Sequence, residues 1–316
     1  MEQSFRGESG LHPGETGNAP ERAIPSGSLR LDAALGTGGI PRGWITEIFG
    51  TEQAGKTTLC LLIAAAAQRQ GGLCAWVDAD HTLDPAYAIR CGVDPDLFFL
   101  VEPQDAGQAL AMVQSLVQSN CLSLVVVDSA GALVTEEELN TPLGLGRITG
   151  LEALLSRSLP GLAMAARNSQ TALVFTNRRW PGTPPVYHQL HSQPEKLALK
   201  LHAAIRLQAI GCQIADGQGH GNRVALQLRC IKNKFSENCR AIQLDIVYNE
   251  MHINTGDIFD LSSAFSIIDQ RDSRFYYQDY LLGESRAEAI EALLQNRNLA
   301  GEIEKAIRRQ IALRDW

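Results

Sequence analysis

Residues 50–57 read Gly50-Thr51-Glu52-Gln53-Ala54-Gly55-Lys56-Thr57, the form GxxxxGK[ST] of a phosphate-binding loop. Glycines let successive backbone N–H groups turn toward phosphate oxygens, and the lysine supplies a positive charge to the β- and γ-phosphates. The hydroxyl of Thr57 is a suitable ligand for Mg²⁺. The pattern predicts that residues 50–58, from Gly50 to Thr58, bind ATP and Mg²⁺.

The flanking sequence has the order that such a loop requires. Residues 44–49 form a short apolar segment that indicates a strand. Residues 58–67 are rich in Ala and Leu and end near Gly71-Gly72, which indicates a buried helix with a glycine stop. Phosphates bind at helix N-termini, where free N–H groups and the helix dipole favour anions. The alternative, a chance match within a turn, does not account for this strand–loop–helix order.

The composition is that of an ordinary globular protein, with 45% hydrophobic and 20% charged residues in a chain of 316. A net charge of −7 gives no bulk-charge support for nucleic-acid binding, so any DNA contact must come from a local basic patch or backbone amides. Because the sequence has no long apolar run, we predict that it contains neither a membrane span nor a secretory signal. Seven cysteines without a CxxC pair, among them Cys60, Cys74 and Cys230 in apolar runs, predict reduced thiols in a cytoplasmic protein.

Strand and helix patterns alternate after the loop. We predict strands at 73–78, 98–101, 122–128 and 171–176, and helices at 106–118 and 151–167, with Pro160 kinking or breaking the second helix. This alternation predicts an α/β fold, a mostly parallel twisted sheet with flanking helices and with ligands at the carboxyl ends of its strands. Strand patterns at 202–210, 223–231 and 241–248 indicate antiparallel additions.

The chain divides into three predicted parts. Residues 1–22 are rich in Gly, Ser, Glu and Pro without periodicity, which predicts a disordered tail. Residues 23–261 form the nucleotide-binding core. Residues 262–316 form a small α+β C-terminal domain, with short strands around 275–277 and helices at 286–294 and 302–313.

Asp128 closes an apolar strand downstream of the loop. This is the Walker B arrangement, in which a carboxylate holds the Mg²⁺ shell. The alternative is an Asp that caps a strand-to-loop turn.

From Ile24 to about residue 313, the chain resembles the bacterial RecA recombinases. Besides the phosphate loop, the resemblance rests on the segments Ile24-Pro25-Ser26-Gly27-Ser28-Leu29, Val77-Asp78-Ala79-Asp80-His81-Thr82-Leu83-Asp84-Pro85, Val126-Val127-Asp128-Ser129, Phe175-Thr176-Asn177, Ala198-Leu199-Lys200 and Ile231-Lys232-Asn233-Lys234. It implies a RecA-type P-loop ATPase core and a DNA-dependent ATPase that polymerises on single-stranded DNA, with ATP held between subunits. Strand exchange in recombination, repair and the SOS response to DNA damage would follow.

The resemblance also implies roles for individual residues. Lys56 and Thr57 would bind phosphate and Mg²⁺, with Asp128 at the metal. The adenine would be contacted by Asp84 and Tyr87, and Tyr248 would be a further aromatic beside the nucleotide. Lys232 and Lys234 would reach the γ-phosphate of the neighbouring subunit in the manner of arginine fingers. The alternative for the two lysines is a solvated pair at a strand end.

Two catalytic positions depart from the family pattern. Asp80 stands where the family has a catalytic Glu; it is shorter by one methylene, about 1.5 Å. A displacement of about 1 Å can cost roughly 10²-fold in a positioned reaction, so the sequence predicts slow hydrolysis or a shifted geometry. Arg178 replaces a Gln that senses the γ-phosphate. A cation stabilises phosphate charge directly but accepts no hydrogen bond.

The DNA contacts implied by the family fall in two loops. The second loop, residues 179–196, contains the basic and aromatic residues Arg179, Trp180, Tyr187 and Lys196, a mixture suited to phosphate contact and base stacking. The first loop, near residues 140–149, has Arg147 alone as a basic residue. The alternative for each is a surface loop that touches nothing.

The ends of the chain also differ from the family. Residues 1–22 contain no counterpart of the family's N-terminal assembly helix. At the other end, Arg314-Asp315-Trp316 does not match the family's acidic C-terminal tail. Loss of the assembly helix predicts weakened self-assembly into a filament or ring, and loss of the acidic tail predicts easier access of DNA. These departures support a rival reading, a regulatory paralogue that binds ATP and a full-length recombinase or repair polymerase without exchanging strands. A helicase or clock-type ring is a third possibility, against which the Lys232–Lys234 segment and the Asp84 and Tyr87 pair speak.

Overall fold

The computed structural model describes residues 23–141, 150–178, 195–215, 223–236, 241–247 and 255–313. The strands, in chain order, are β1 Ala23–Ile24, β2 Ile40–Pro41, β3 Ile45–Gly50, β4 Leu73–Asp78, β5 Phe98–Val101, β6 Leu122–Asp128, β7 Ala172–Arg178, β8 Ile205–Ala215, β9 Arg223–Asn233, β10 Ala241–Val247, β11 Ile268–Arg271, β12 Arg274–Tyr277 and β13 Tyr280–Gly283. The α-helices are α1 Leu29–Leu35, α2 Lys56–Arg69, α3 Pro85–Arg90, α4 Ala106–Gln118, α5 Glu136–Leu139, α6 Gly150–Ser169, α7 Glu195–His202, α8 Thr255–Ala264, α9 Arg286–Gln295 and α10 Arg297–Leu313.

Eight strands form the main sheet, in the order β10-β9-β8-β3-β7-β6-β4-β5. The pairs among β8, β3, β7, β6, β4 and β5 are parallel, whereas β9 and β10 add in antiparallel orientation. This arrangement confirms the predicted α/β fold with antiparallel additions. Because the parallel strands point the same way, β3, β7, β6 and β4 present their carboxyl ends at one edge, where ligands of such folds bind.

The central strands β3, β4, β6 and β7 are buried on both faces of the main sheet. Helix α2, whose residues from Thr58 to Gln68 are buried, belongs to one apolar cluster, and α4 and α6 belong to a second. Along β7, Val174 lies in the first cluster and its neighbours Leu173 and Phe175 lie in the second. This alternation follows from the two-residue period of a strand and places Thr176 and Arg178 on the α2 face.

The C-terminal part has its own apolar cluster. It contains residues of α8, α9, α10 and the three-stranded sheet β11-β12-β13, together with Leu29 from α1. Helix α1 begins after Ser28, whose side chain caps it by accepting from Leu31 N at 3.4 Å. The proposed boundary after residue 261 falls inside α8, and the three-part division of the chain stays a prediction.

Three local predictions need correction. Helix α6 does not break at Pro160, which lies on its exposed face while Leu155, Leu159 and Leu162 bury the opposite face. A kink at Pro160 stays a prediction. His202 ends helix α7, so the strand that was predicted to begin there starts at Ile205. Cys230 is disulfide-bonded rather than free, whereas Cys60, Cys74 and Cys91 are the buried free thiols that the sequence predicts.

Within the described ranges, none of the helices combines the length and apolar character that crossing a bilayer requires.

Candidate nucleotide-binding site

The phosphate loop joins β3 to α2 at the carboxyl edge of the sheet. Gly50 ends β3 in close contact with β8: a Cβ there would lie 2.2 Å from the carbonyl oxygen of Ala209, so a larger residue would collide with the backbone. Gly55 precedes α2 with φ 79°, a conformation that glycine adopts readily. No side chain caps α2 at Gly55. Its first N–H groups are therefore disposed to bind an anion.

Lys56 lies inside the loop. Its Nζ donates to the carbonyl oxygens of Thr51 at 2.7 Å and Gly50 at 3.4 Å. Burial lowers the pKa of the Lys56 ammonium; the charge of Asp128 opposes this effect, and the charge of Arg178 adds to it. A desolvated cation held by neutral carbonyls gains strongly from an anionic ligand such as a phosphate.

Both carboxylate oxygens of Asp128, the proposed metal ligand, accept hydrogen bonds from threonine hydroxyls. Its Oδ2 accepts from the Thr57 hydroxyl at 2.7 Å, and its Oδ1 accepts a short hydrogen bond from the Thr176 hydroxyl on β7. Burial raises the pKa of Asp128; the hydrogen bonds from Thr176 and Thr57 lower it, nearby Asp80 raises it, and Lys56 lowers it. A buried carboxylate beside a hydroxyl has the chemistry of a site for a hard cation.

These groups fit ATP with Mg²⁺. In the part of the chain that the structure describes, no group of three or more His, Cys, Asp or Glu side chains converges to hold a metal. Mg²⁺ commonly uses one or two protein ligands and takes the remainder from phosphates and water, so Thr57 and Asp128 suffice. When bound, the ion would neutralise charge on the phosphates, which the loop N–H groups and Lys56 would hold.

Asp80 and Arg178 form an ion pair. Asp80 follows β4, and Arg178 ends β7; one guanidinium nitrogen, NH2, makes a short contact with Asp80 Oδ2. The hydroxyl of Ser129 lies 3.5 Å from the same oxygen, whereas Asp80 Oδ1 is buried without a hydrogen-bond partner. The other guanidinium nitrogen, NH1, lies 3.6 Å from Glu52 Oε1 in the phosphate loop. The two positions that depart from the family are therefore in contact.

Tyr87 lies on α3, and Asp84 directly precedes that helix. The hydroxyls of Tyr87 and Thr58 are 2.7 Å apart, which ties the predicted base-contacting residue to the phosphate loop. Asp84 caps α3 by accepting from Ala86 N at 2.9 Å, and it lies 3.6 Å from Arg90. The structure thus brings Tyr87 beside the phosphate loop. Contact of Asp84 and Tyr87 with adenine stays a prediction.

Lys232 and Lys234 lie apart from the phosphate loop of their own chain. Lys232 Nζ donates to the carbonyl oxygens of Lys200 at 2.9 Å and Leu201 at 3.1 Å, so it caps the C-terminal end of α7. Lys234 Nζ lies 5.7 Å from the centre of the Trp44 ring. Their predicted role is at the active site of a neighbouring subunit. Contacts within one chain do not test it, and it stays a prediction.

The predicted DNA contacts Arg147, Arg179, Trp180 and Tyr187, and the nucleotide-side Tyr248, lie outside the described residues. Lys196 lies in α7, and its side chain is outside the description as well.

Sequence reasoning missed three groups that support the site. Thr176 and Ser129 were seen only as parts of family segments, although the two-residue period of β7 places Thr176 on the face of Asp128. The third is a buried network in which Glu47 accepts from Asn177 Nδ2 at 3.1 Å and pairs with Arg206. The sequence signal for this network was Glu47, a charged residue within the otherwise apolar strand at 44–49.

Comparison with known proteins gives the same assignment along the whole chain. The RecA N-terminal domain matches residues 1–253, and the RecA C-terminal domain matches residues 256–312. Protein RecA of Caldanaerobacter subterraneus subsp. tengcongensis is 37% identical over 317 residues, which cover 99% of this chain and 92% of that protein. Protein RecA of Aquifex pyrophilus is 37% identical over 287 residues, with 90% and 82% covered. Protein RecA of Chloroflexus aurantiacus is 38% identical over 291 residues, with 91% and 82% covered. The chain therefore belongs to the RecA family.

Proposed function

We propose that this protein is an ATP-dependent recombinase that binds single-stranded DNA, assembles with copies of itself and hydrolyses ATP between neighbouring subunits. The observation that carries the proposal is the convergence of Lys56, Thr57 and Asp128 at the carboxyl edge of the sheet. It occurs in a chain that RecA-family domains match from residue 1 to residue 312. Membership of this family supports DNA-dependent ATP hydrolysis with Mg²⁺.

The proposed chemistry assigns one task to each residue. Lys56 and the first N–H groups of α2 hold the phosphates, and Thr57 and Asp128 hold Mg²⁺. Asp80 orients the attacking water, the role that its match to the family's catalytic Glu implies. Phosphoryl transfer is catalysed mainly by positioning and charge stabilisation, so cations near the terminal phosphate matter most. Lys232 and Lys234 of the adjacent subunit would supply two of them.

The regulatory paralogue remains the second candidate because of one contact. In this chain, the ion pair with Arg178 occupies Asp80 Oδ2, the oxygen that would otherwise accept a hydrogen bond from water. A protein that binds ATP but holds its base in an ion pair suits a regulatory partner of a recombinase or polymerase.

ATP hydrolysis with and without single-stranded DNA, over a range of protein concentrations, separates the two functions. A recombinase gives DNA-stimulated turnover that rises more steeply than linearly with concentration, because its sites form between subunits. Nucleotide binding without DNA stimulation at any concentration would reject the recombinase and favour the paralogue. Lys56→Ala, which removes the phosphate-binding cation, should abolish both binding and turnover, whereas the exposed Lys305→Ala should change neither.

A further inference from the structure

Arg90, the last residue of α3, contacts both residues that are predicted to meet the base of the nucleotide. Its NH2 nitrogen lies 3.6 Å from Asp84 Oδ2, and its guanidinium carbon lies 5.5 Å from the centre of the Tyr87 ring. The three residues follow one another at intervals of three, a spacing that brings side chains together on a helix surface. A carboxylate, an aromatic ring and a guanidinium thus form one group, which we call the α3 cluster.

The α3 cluster is joined to the phosphate loop through its aromatic ring. The hydroxyl of Tyr87 lies 2.7 Å from that of Thr58, which directly follows the proposed Mg²⁺ ligand Thr57. The ring is half-buried and packs against the apolar cluster that contains α2. Phosphates bound at the first N–H groups of α2 would therefore place the rest of the nucleotide close to this ring.

The charged end of the α3 cluster is open to solvent. The side chains of Asp84 and Arg90 are 57% and 52% exposed, and an ion pair between such groups contributes little to stability. Asp84 Oδ1 caps α3 by accepting from Ala86 N at 2.9 Å, whereas Oδ2 faces Arg90. A ligand that bonds to Oδ2 or to the guanidinium therefore leaves the helix cap intact.

The two charged groups suit different purines. Adenine presents the N6 amino donor beside the N7 acceptor, whereas guanine presents two acceptors, O6 and N7. A carboxylate only accepts hydrogen bonds, so Asp84 favours adenine. A guanidinium only donates them and matches O6 and N7 with two parallel bonds, so Arg90 favours guanine. The Tyr87 ring stacks with either base, because every base has a π face.

We propose that Arg90 is a third base-contacting residue and that its donors allow this chain to bind GTP as well as ATP. The inference rests on the proposed ATP site and extends it from the phosphates to the base. Asp84 accepts from the amino group of adenine, and Arg90 donates to O6 and N7 of guanine. The balance between the two side chains sets the preference between the purines.

The test measures dissociation constants for non-hydrolysable analogues of ATP and GTP, each with Mg²⁺. The parent should bind both analogues, with constants within about tenfold of each other. Arg90→Met removes the donors and keeps an unbranched apolar side chain. It should weaken the GTP analogue relative to the ATP analogue by about tenfold or more. Asp84→Asn keeps a good helix cap and adds a donor, so it should shift the ratio toward GTP roughly 3- to 10-fold.

The ratio of the two constants separates base recognition from a general effect of charge, which would change both constants alike. Arg271→Met is the matched control, because Arg271 also pairs with a carboxylate, Asp269 at 3.1 Å, and lies 5.5 Å from the centre of a tyrosine ring, Tyr276. It should leave the ratio unchanged. Arg90→Lys, which keeps the charge without the two parallel donors, should give an intermediate ratio.

Two outcomes overturn the inference and leave the proposed function standing. One is a ratio that Arg90→Met and Arg90→Lys both leave at the parent's value. The other is a parent that binds the ATP analogue but binds the GTP analogue more than about 10²-fold more weakly. Failure of the parent to bind either analogue would reject the proposed function itself, and the inference with it.

Discussion

The Thr57 hydroxyl donates a 2.7 Å hydrogen bond to Oδ2 of Asp128, although 71 residues separate them in the chain. The contact joins the first turn of α2 to the carboxyl end of β6. It also gives the two predicted Mg²⁺ ligands a common position, which neither motif alone specifies.

Thr57→Val should impair Mg²⁺ binding specifically. The substitution removes a ligand hydroxyl at nearly constant volume, so the Mg²⁺ concentration at half-maximal ATP binding should rise about tenfold or more. The adjacent Thr58→Val is the matched control. Because Thr58 contacts Tyr87 and not Asp128, it should weaken nucleotide binding without changing the Mg²⁺ dependence. Titration of ATP binding with Mg²⁺ gives both values. The same Mg²⁺ dependence in both variants would contradict the assignment of Thr57.

Asp80→Asn should strongly reduce ATP hydrolysis without preventing ATP binding. An amide cannot take up the proton of the attacking water, so turnover should fall about 10²- to 10⁴-fold while ATP still binds. Asp80→Glu should raise turnover, because the longer side chain restores about 1.5 Å of reach toward the phosphate. The same exchange at the exposed Asp269 should have no effect on turnover. Single-turnover assays separate chemistry from binding, and a rate for Asp80→Glu at or below that of the parent would reject the short carboxylate as the bottleneck.

The sequence predicts most of this site because local rules determine its parts. The loop motif places Lys56 and Thr57 at the N-terminus of a helix, and an apolar run ending in a carboxylate places Asp128 at the edge of a buried strand. The contact between Asp80 and Arg178 could not be predicted from local rules. Each residue is visible as a separate departure from the family, but their contact spans 98 residues and depends on the order β7-β6-β4. Strand order is set by packing of the whole sheet, and no single segment encodes it.

A mixing experiment tests whether active sites are shared between subunits. Lys232→Ala and Asp80→Asn should each be inactive alone. When mixed, some interfaces combine the intact Asp80 of one subunit with the intact Lys232 of the next. Random head-to-tail assembly makes these roughly a quarter of the sites, so activity should return to that fraction. The recovered activity is measured as the rate of ATP hydrolysis at a fixed total protein concentration. Because Lys232 also caps α7, Lys232→Ala must first be shown to unfold at the same temperature as the parent. Full activity of Lys232→Ala alone would exclude the role in the neighbouring site.

Asp32 connects the core to the C-terminal part and should give its stability a defined pH dependence. The side chain is buried in α1, where Oδ1 accepts from Ser26 N at 2.8 Å and Ser26 Oγ at 2.7 Å, and Oδ2 accepts from Arg308 of α10 at 3.1 Å. Burial raises the pKa of Asp32 from 3.8 to about 6, although Arg308 and Ser26 act to lower it. Between about pH 4 and pH 6, the folded state therefore holds the proton more tightly than the unfolded state.

The sign of the effect follows from this proton uptake. The contribution of Asp32 to the free energy of unfolding is largest below its unfolded pKa and is lost as pH rises through about 6. Asp32→Asn, which mimics the protonated acid, should remove this dependence, since Arg308 keeps Glu304 as a partner at 2.9 Å. Its stability relative to the parent should thus improve by about 1 kcal/mol between pH 5 and pH 7 in urea unfolding. Arg308→Gln should shift the parent's loss to higher pH, because a cation that lowers the pKa of Asp32 is gone. Parallel stability curves for the parent and Asp32→Asn across this range would show that Asp32 is already ionised at pH 5 in the folded protein.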